Sequence, residues 1–326
     1  MIGCELSGGL GNQLFRYAFA RALMEQRRGN REDEQLLVNM RFADSHGFSG
    51  NICDFNIVEH EICQTRRLEL SYGSILQRLL FMIDKAVGKI LRNITPPRWL
   101  VSEKFERWSR KQLGRAGIII SNAPDTEMLY LPSDSVSNVF TYGSFEKYDY
   151  FKSIDGILRK EFTPIHPCRE ENKRLYDVIK SMNSVCLAVR RGDFMAAENK
   201  KTFYVCDLEY FQKAVDYIQQ HVENPVFVVF SNDIEWVKEN LHVAGDVYYE
   251  SGKDPVWETF RLMYSCKHFI ISNSTMHWWA QWRSGNENKI VVTPDRWYNA
   301  PGWENHLMLD SFVRIPTGVR NPYKND

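Results

Sequence analysis

The second half of the chain constrains the fold most. Short apolar runs rich in β-branched and aromatic residues alternate there with segments whose apolar positions recur every three or four residues. Residues 185–189, 226–230, 247–249, 268–271 and 290–292 read as strands. Asp207 stands where a helix would be capped, ahead of Leu208, Phe211, Val215, Ile218 and Val222 on one face. Residues 233–241, a segment opening at Asp254 or Pro255 and running to Ser265, and residues 275–283 read as further helices. Alternation of this kind builds βαβ units, and therefore a doubly wound parallel sheet covered by helices on both faces.

The first half is less regular. Residues 2–6 suit a strand and 14–28 a helix, Pro96-Pro97 punctuates the middle, and 123–137 reads as a loop. Pro164 and Pro167 mark a linker, so the expected domains are 1–155 and 156–326. A chain of 326 residues fits two domains of roughly 150 residues each.

Composition excludes several classes. Forty-one basic and forty-one acidic side chains cancel, so no overall field draws the chain to nucleic acid. Apolar residues at 44% and charged ones at 25% belong to a folded protein rather than a disordered one. Cys4, Cys53, Cys63, Cys168, Cys186, Cys206 and Cys266 form no CxxC pair, as expected of reduced thiols. The eight histidines show no zinc spacing, so no metal is expected. The N-terminus resembles no secretion signal and no window is long and apolar enough to span a bilayer, which gives a cytoplasmic expectation.

A basic amphipathic helix is expected near 76–94. Leu76, Leu79, Leu80, Ile83, Val87, Ile90, Leu91 and Ile94 share one side, with Arg78, Lys85, Lys89 and Arg92 opposite and Phe81 and Met82 flanking the basic stripe. A core-facing helix with a solvated cationic side is the default reading; peripheral membrane docking is the alternative.

Ligands of doubly wound sheets bind at the carboxyl ends of the strands, and three polar clusters fall there. They are Arg190-Arg191-Gly192-Asp193, Ser231-Asn232-Asp233 and Ser272-Asn273-Ser274-Thr275. Arg190 or Arg191 offers a fixed cationic fork for a diphosphate without a metal. Ser274 and Thr275 open a helix, where free N–H groups and hydroxyls favour an anion. Asp233 or Asn232 suits hydrogen bonds to a base edge. Each cluster alone also fits ordinary capping or salt bridging; the three in register describe a nucleotide-diphosphate pocket. Trp278, Trp279 and Trp282 read as packing.

Gly8-Gly9-Leu10-Gly11-Asn12-Gln13 is a glycine turn between strand and helix. It lacks the third glycine of a dinucleotide fingerprint and the Gly-Lys-Ser/Thr of a P-loop. A plain turn explains the glycines but leaves Asn12 and Gln13, two amides at a helix start.

This turn with Phe15, Tyr17 and Ala18, the Arg190–Asp193 cluster, and Ser272–Thr275 with Trp278-Trp279-Ala280 together resemble bacterial α-1,2-fucosyltransferases of glycosyltransferase family 11, over nearly the whole chain. The resemblance implies a GT-B-like fold of two Rossmann-type domains, the first acceptor-side and the second donor-binding. It implies GDP-β-L-fucose as donor, a galactose-terminated glycan as acceptor, in some cases lipid-linked, inversion at the anomeric carbon and no cofactor. Arg190 matches the first arginine of the HxRRxD motif, expected at the β-phosphate; Arg191 matches the second and Asp193 the acid. Gly11 and Asn12 match the donor-facing turn, Asn12 near the fucose. Ser274 and Thr275 match residues expected around the pyrophosphate, Asp233 is similar in position to an acidic residue that recognises guanine in related fucosyltransferases, and Asn232 and Asn273 are further donor-binding candidates beside them. Ala188 departs from the pattern by replacing the motif's histidine, and His277 replaces a small residue.

Transfer to a hydroxyl needs fixed cations aimed at the departing phosphate, and a carboxylate to receive the proton. Asp193 and Glu198 are the candidates. For Asp193 a salt bridge with the neighbouring arginines is an equal reading; Glu198 lies in a segment suited to the acceptor side, although a solvated glutamate is its default. The rival functions are a fucosyltransferase of another linkage and a non-catalytic binder of sugar nucleotide or glycan.

Overall fold

The computed structural model describes residues 1–29, 33–45, 52–58, 60–93, 98–121, 129–300 and 306–322, without the side chains of 88, 90–93 and 98–104. Ile94 and Pro96-Pro97, the side chains of Ile90, Leu91 and Arg92, and the first part of the expected loop lie outside the described residues.

The chain divides into two units. The first comprises Met1–Gly8, Asn12–Phe48 and Ile57–Leu158; the second comprises Gly9–Gly11, Ser49–Asn56 and Arg159–Asp326. The dividing point, between Leu158 and Arg159, falls inside a helix.

In the first unit, β1 (Ile2–Glu5), β2 (Leu36–Asn39), β3 (His60–Cys63), β4 (Ile118–Ser121) and β5 (Val139–Gly143) form one parallel sheet in the order β3-β2-β1-β5-β4. Helices α1 (Leu10–Arg28), α2 (Arg41–Ser45), α3 (Leu68–Tyr72), α4 (Ile75–Asn93), α5 (Arg98–Arg115) and α6 (Asp155–Glu161) accompany it. Central β1 is buried as Ile2, Gly3 and Cys4, as in a parallel sheet whose two faces are both covered, which leaves no face for alternation with polar residues.

In the second unit, β6 (Asn183–Val189), β7 (Pro225–Ser231), β8 (Val247–Tyr249), β9 (His268–Ile271), β10 (Val291–Pro294) and β11 (Val313–Ile315) form a parallel sheet ordered β11-β10-β9-β6-β7-β8. Numbered within the unit, that is the 3-2-1-4-5-6 order of a Rossmann sheet. Helices α7 (Lys173–Ser181), α8 (Ala197–Phe203), α9 (Leu208–His221), α10 (Ile234–Asn240), α11 (Val256–Ser265) and α12 (Thr275–Arg283) complete it. Asp207 caps α9, its Oδ1 accepting from Tyr210 N at 2.9 Å. The expected apolar stripe of α9 supplies Phe211, Val215 and Ile218 to a core shared with Val185, Leu187, Phe227 and Ile270. Trp278, Trp279 and Trp282 are buried, as packing requires; Trp278 Nε1 donates to Leu307 O at 2.7 Å.

Two local expectations change. Helix α1 begins at Leu10, so Gly11, Asn12 and Gln13 lie in its first turn rather than before it. Helix α4 keeps its cationic side solvated at Arg78, Lys85 and Lys89 but turns only part of the expected apolar stripe inward: Gln77 and Phe81 are buried and Leu80 half-buried, whereas Leu76, Leu79 and Ile83 are exposed. The reason is polar. Gln77 Nε2 donates to the carbonyls of Ala116 at 2.8 Å and Asn138 at 2.7 Å, and Ser109 Oγ of α5 donates to Asp84 Oδ1 at 2.6 Å.

Candidate functional site

In the second unit the site is set by strand register. Ala188 on β6 stands opposite Phe230 of β7 on one side and Ile271 of β9 on the other. Arg190, Asn232 and Asn273, each two residues further on, therefore leave the sheet at one edge. The gap between β6 and β9 is the point where the strand order reverses, the place where such sheets bind ligands.

Arg190 is fixed at that reversal from backbone and side chain. Its N–H donates to Ser272 Oγ at 2.9 Å, and the same hydroxyl donates to Ala188 O at 2.9 Å, so Ser272 ties the end of β6 to the end of β9. The Arg190 guanidinium pairs with Asp193 Oδ1 at 2.7 Å and lies 5.8 Å from the Phe194 ring. The salt-bridge reading of Asp193 thus has direct geometry. Arg191 turns the other way: its N–H donates to Asn232 Oδ1 at 3.0 Å, its Nε pairs with Asp233 Oδ2 at 3.2 Å, and its Cζ stacks 3.6 Å from the Trp236 ring centre. Gly192 follows them, and a Cβ there would run into the Asn232 side-chain amide, which would have to shift away from the Arg191 N–H.

The third cluster opens α12. Ser274 is the N-cap residue, but its side chain accepts no capping hydrogen bond; its N–H donates to Ser272 O at 2.7 Å. Thr275 begins the helix, half-buried with Ser274. The buried Asn273 side chain is occupied by the protein, donating to Phe203 O at 3.0 Å and Trp297 O at 2.7 Å. It anchors the end of α8 and the segment after β10, and any ligand contact at this position falls to its backbone. Gly11 belongs to this unit and lies against α12: a Cβ on it would meet Thr275 Oγ1 at 2.5 Å, and Trp279 Nε1 donates to Gly11 O at 3.1 Å. The close approach that glycine permits here is to the first turn of a helix. Glu198 sits exposed in the first turn of α8.

His277 is buried in the first turn of α12, with Nδ1 lacking a hydrogen-bond partner. Burial, and to a lesser degree the charge of Arg190, push its pKa down to about 3. It is a neutral imidazole.

In the first unit the glycine turn follows central β1, at the point where that sheet's order reverses between β1 and β5. Gly8 adopts φ +79°, a left-handed conformation suited to glycine, and the Asn12 side chain folds against it, Nδ2 lying 2.5 Å from where a Cβ would be. Gln13 is buried and donates from Nε2 to Gly8 O at 3.0 Å, so it closes the turn instead of being displayed. Near the same edge is a charged cluster that sequence reading missed. Arg16 Nη1 donates to Glu5 O at 3.2 Å, and burial holds the Glu5 carboxyl above its ordinary range. Tyr142 Oη donates to buried Glu69. Its members come from β1, α1, α3 and β5, which share no motif. Trp236 beneath Arg191 was also missed, although its place three residues after Asp233 on a helix is a usable signal.

Among the described residues no group of three or more His, Cys, Asp or Glu side chains could hold a metal ion, and no helix is long and apolar enough to cross a membrane. The seven cysteines, all among the described residues, form no disulfide.

Two parallel α/β units, the second in Rossmann order with arginines at its reversal point, make the GT-B-like architecture expected from the sequence. The chain belongs to glycosyl transferase family 11, whose model matches residues 1–308. It is a glycosyltransferase of the fucosyltransferase-containing kind. The chain is similar to an α-1,2-colitosyltransferase of Escherichia coli, 28% identical over 305 residues that cover 91% of this chain and 92% of that one. It is also similar to the O-antigen biosynthesis glycosyltransferase WbnK of Escherichia coli, 26% identical over 97% of this chain and all of the relative. Human galactoside α-(1,2)-fucosyltransferase 1 is 30% identical over 156 residues, 44% of this chain and 43% of the human protein.

Proposed function

We propose that this chain is an inverting α-1,2-fucosyltransferase that moves L-fucose from GDP-β-L-fucose to the 2-hydroxyl of a terminal galactose on a glycan. The observation that carries the reading is Arg190 held by Ser272 at the reversal point of a Rossmann-ordered sheet, in a family whose relatives include α-1,2-transferases.

In this reading the unit that begins in earnest at Arg159 takes the donor and residues 1–155 serve the acceptor. Arg190 receives the β-phosphate, with Arg191, Ser274, Thr275 and the backbone at Gly11 and Asn273 around the pyrophosphate. Asn232 and Asp233 face the guanine, and Asn12 the fucose. The acceptor O2–C1 bond forms as the bond from C1 to the β-phosphate oxygen breaks, through an oxocarbenium-like state. Negative charge grows on the departing GDP, and the arginine forks meet it without a metal. The hydroxyl proton passes to a carboxylate, with Asp193 and Glu198 in line for that role. The reaction is placed in a bacterial cytoplasm, on an acceptor that is lipid-linked during polysaccharide assembly.

The name of one relative favours a second donor, GDP-colitose, which is GDP-fucose without the 3-hydroxyl. GDP release measured with both donors against a panel of galactosides, followed by linkage-sensitive glycosidase digestion of the product, tests the reading. Transfer from GDP-fucose giving a terminal α-1,2 linkage is expected. Turnover of GDP-colitose alone moves the donor assignment, and a product of another linkage overturns the acceptor assignment.

A further inference from the structure

Helix α4 shows its apolar stripe to solvent. Ile75 is 78% exposed, Leu76 61%, Leu79 48%, Met82 51% and Ile83 50%. On a wheel of about 100° per residue these five form one continuous arc, and the packed residues Gln77, Leu80, Phe81 and Asp84 form the opposite one. Exposed Arg78, Lys85 and Lys89 line a single margin of the apolar arc. The helix has one acid, Asp84, and it is turned inward to Ser109 of α5. Lys85 lies 3.8 Å from that carboxylate, near the root of the margin.

A contiguous apolar strip on a protein surface marks something it covers or enters. The helix is 19 residues long, about 28 Å at 1.5 Å per residue, and the exposed apolar strip runs over its first nine residues, from Ile75 to Ile83. It combines apolar side chains facing outward with cations beside them and no exposed acid. That is the pattern of a helix lying in the plane of a bilayer, with apolar groups sunk at the acyl boundary and cations at anionic headgroups. We infer that α4 is a membrane-docking helix, and that its partner is an anionic lipid surface. The polar anchoring of Gln77 and Asp84 explains why the molecule keeps this face outward: the hydrogen bonds of the inner face fix the helix rotation. The inference stands apart from the donor and acceptor assignments, since lipid binding is read without turnover.

The experiment is co-sedimentation of the full chain with vesicles of phosphatidylglycerol and phosphatidylethanolamine, and with vesicles of phosphatidylcholine. Two variants accompany the wild type, Leu76→Ser/Leu79→Ser/Ile83→Ser and Lys85→Glu/Lys89→Glu, both at exposed positions and both checked for unchanged circular dichroism. The wild type is expected to bind the anionic vesicles at least about tenfold more tightly than the neutral ones, and each variant to lose about tenfold or more. Equal partitioning of wild type and both variants, or no binding of the wild type to anionic vesicles, overturns the inference. So does a concentration-dependent dimer in sedimentation velocity that the triple serine variant dissolves, because a second copy is then the occupant of this face.

Discussion

Arg190 and Ser272 are joined across the reversal point of the second sheet: the arginine N–H donates to the serine hydroxyl at 2.9 Å, and that hydroxyl donates to Ala188 O at 2.9 Å. One small side chain thus fixes where a cation leaves the sheet. Ser272→Ala removes both bonds and leaves the Arg190 N–H without its partner. Loss of about 1–3 kcal/mol of stability is expected, read as a lowered urea midpoint, together with weakened binding of GDP.

Arg190→Ala should lower transfer by roughly 10²-fold or more, the scale on which fixed donors to a developing anion act. Arg190→Lys should recover only part of it, because an ammonium cannot make the two-pronged contact of a guanidinium. Steady-state kinetics with saturating donor checks this; a near-normal kcat for the alanine variant removes the phosphate role.

Gly11 packs on α12 so closely that a Cβ would meet Thr275 Oγ1 at 2.5 Å. Backbone, rather than a flexible side-chain end, also lies in the way. Gly11→Ala should therefore displace the start of α12 and cost about 1–3 kcal/mol, visible in thermal or urea unfolding. An unchanged midpoint would contradict the packing.

How much of this was legible in the sequence depended on burial. Strands β6 and β7 could be read because a strand covered on both faces is a continuous apolar run, and α9 because its stripe and Asp207 cap agree. Strand β11, three residues with an exposed arginine in the middle, carries no such signal. The clusters after β6, β7 and β9 could be placed at one edge by topology alone. Their internal pairing could not: that Arg191 turns to Asp233 and Trp236 while Arg190 turns to Asp193 is decided by side-chain geometry. Periodicity showed that α4 has two faces but not which one packs, because Gln77 and Asp84 satisfy themselves by long-range hydrogen bonds to residues distant in sequence.

His277 gives a pH signature. Its folded-state pKa is about 3 against an ordinary 6.5, so below about pH 6.5 the unfolded chain takes up a proton that the folded chain refuses. Stability therefore falls as pH drops through that window, with a limiting slope of about 1.4 kcal/mol per pH unit for this one group. His277→Gln should flatten the acid limb of a plot of urea midpoint against pH. An identical slope in the variant would show that the imidazole charges freely in the folded protein.

The most direct test of the central claim is a crystal structure of the protein with GDP-β-L-fucose or GDP. The account predicts the diphosphate at the ends of β6 and β9, its β-phosphate within hydrogen-bond reach of the Arg190 guanidinium and its neighbour at the start of α12. Nucleotide bound with its phosphates away from Arg190 and from Ser274-Thr275 would contradict it.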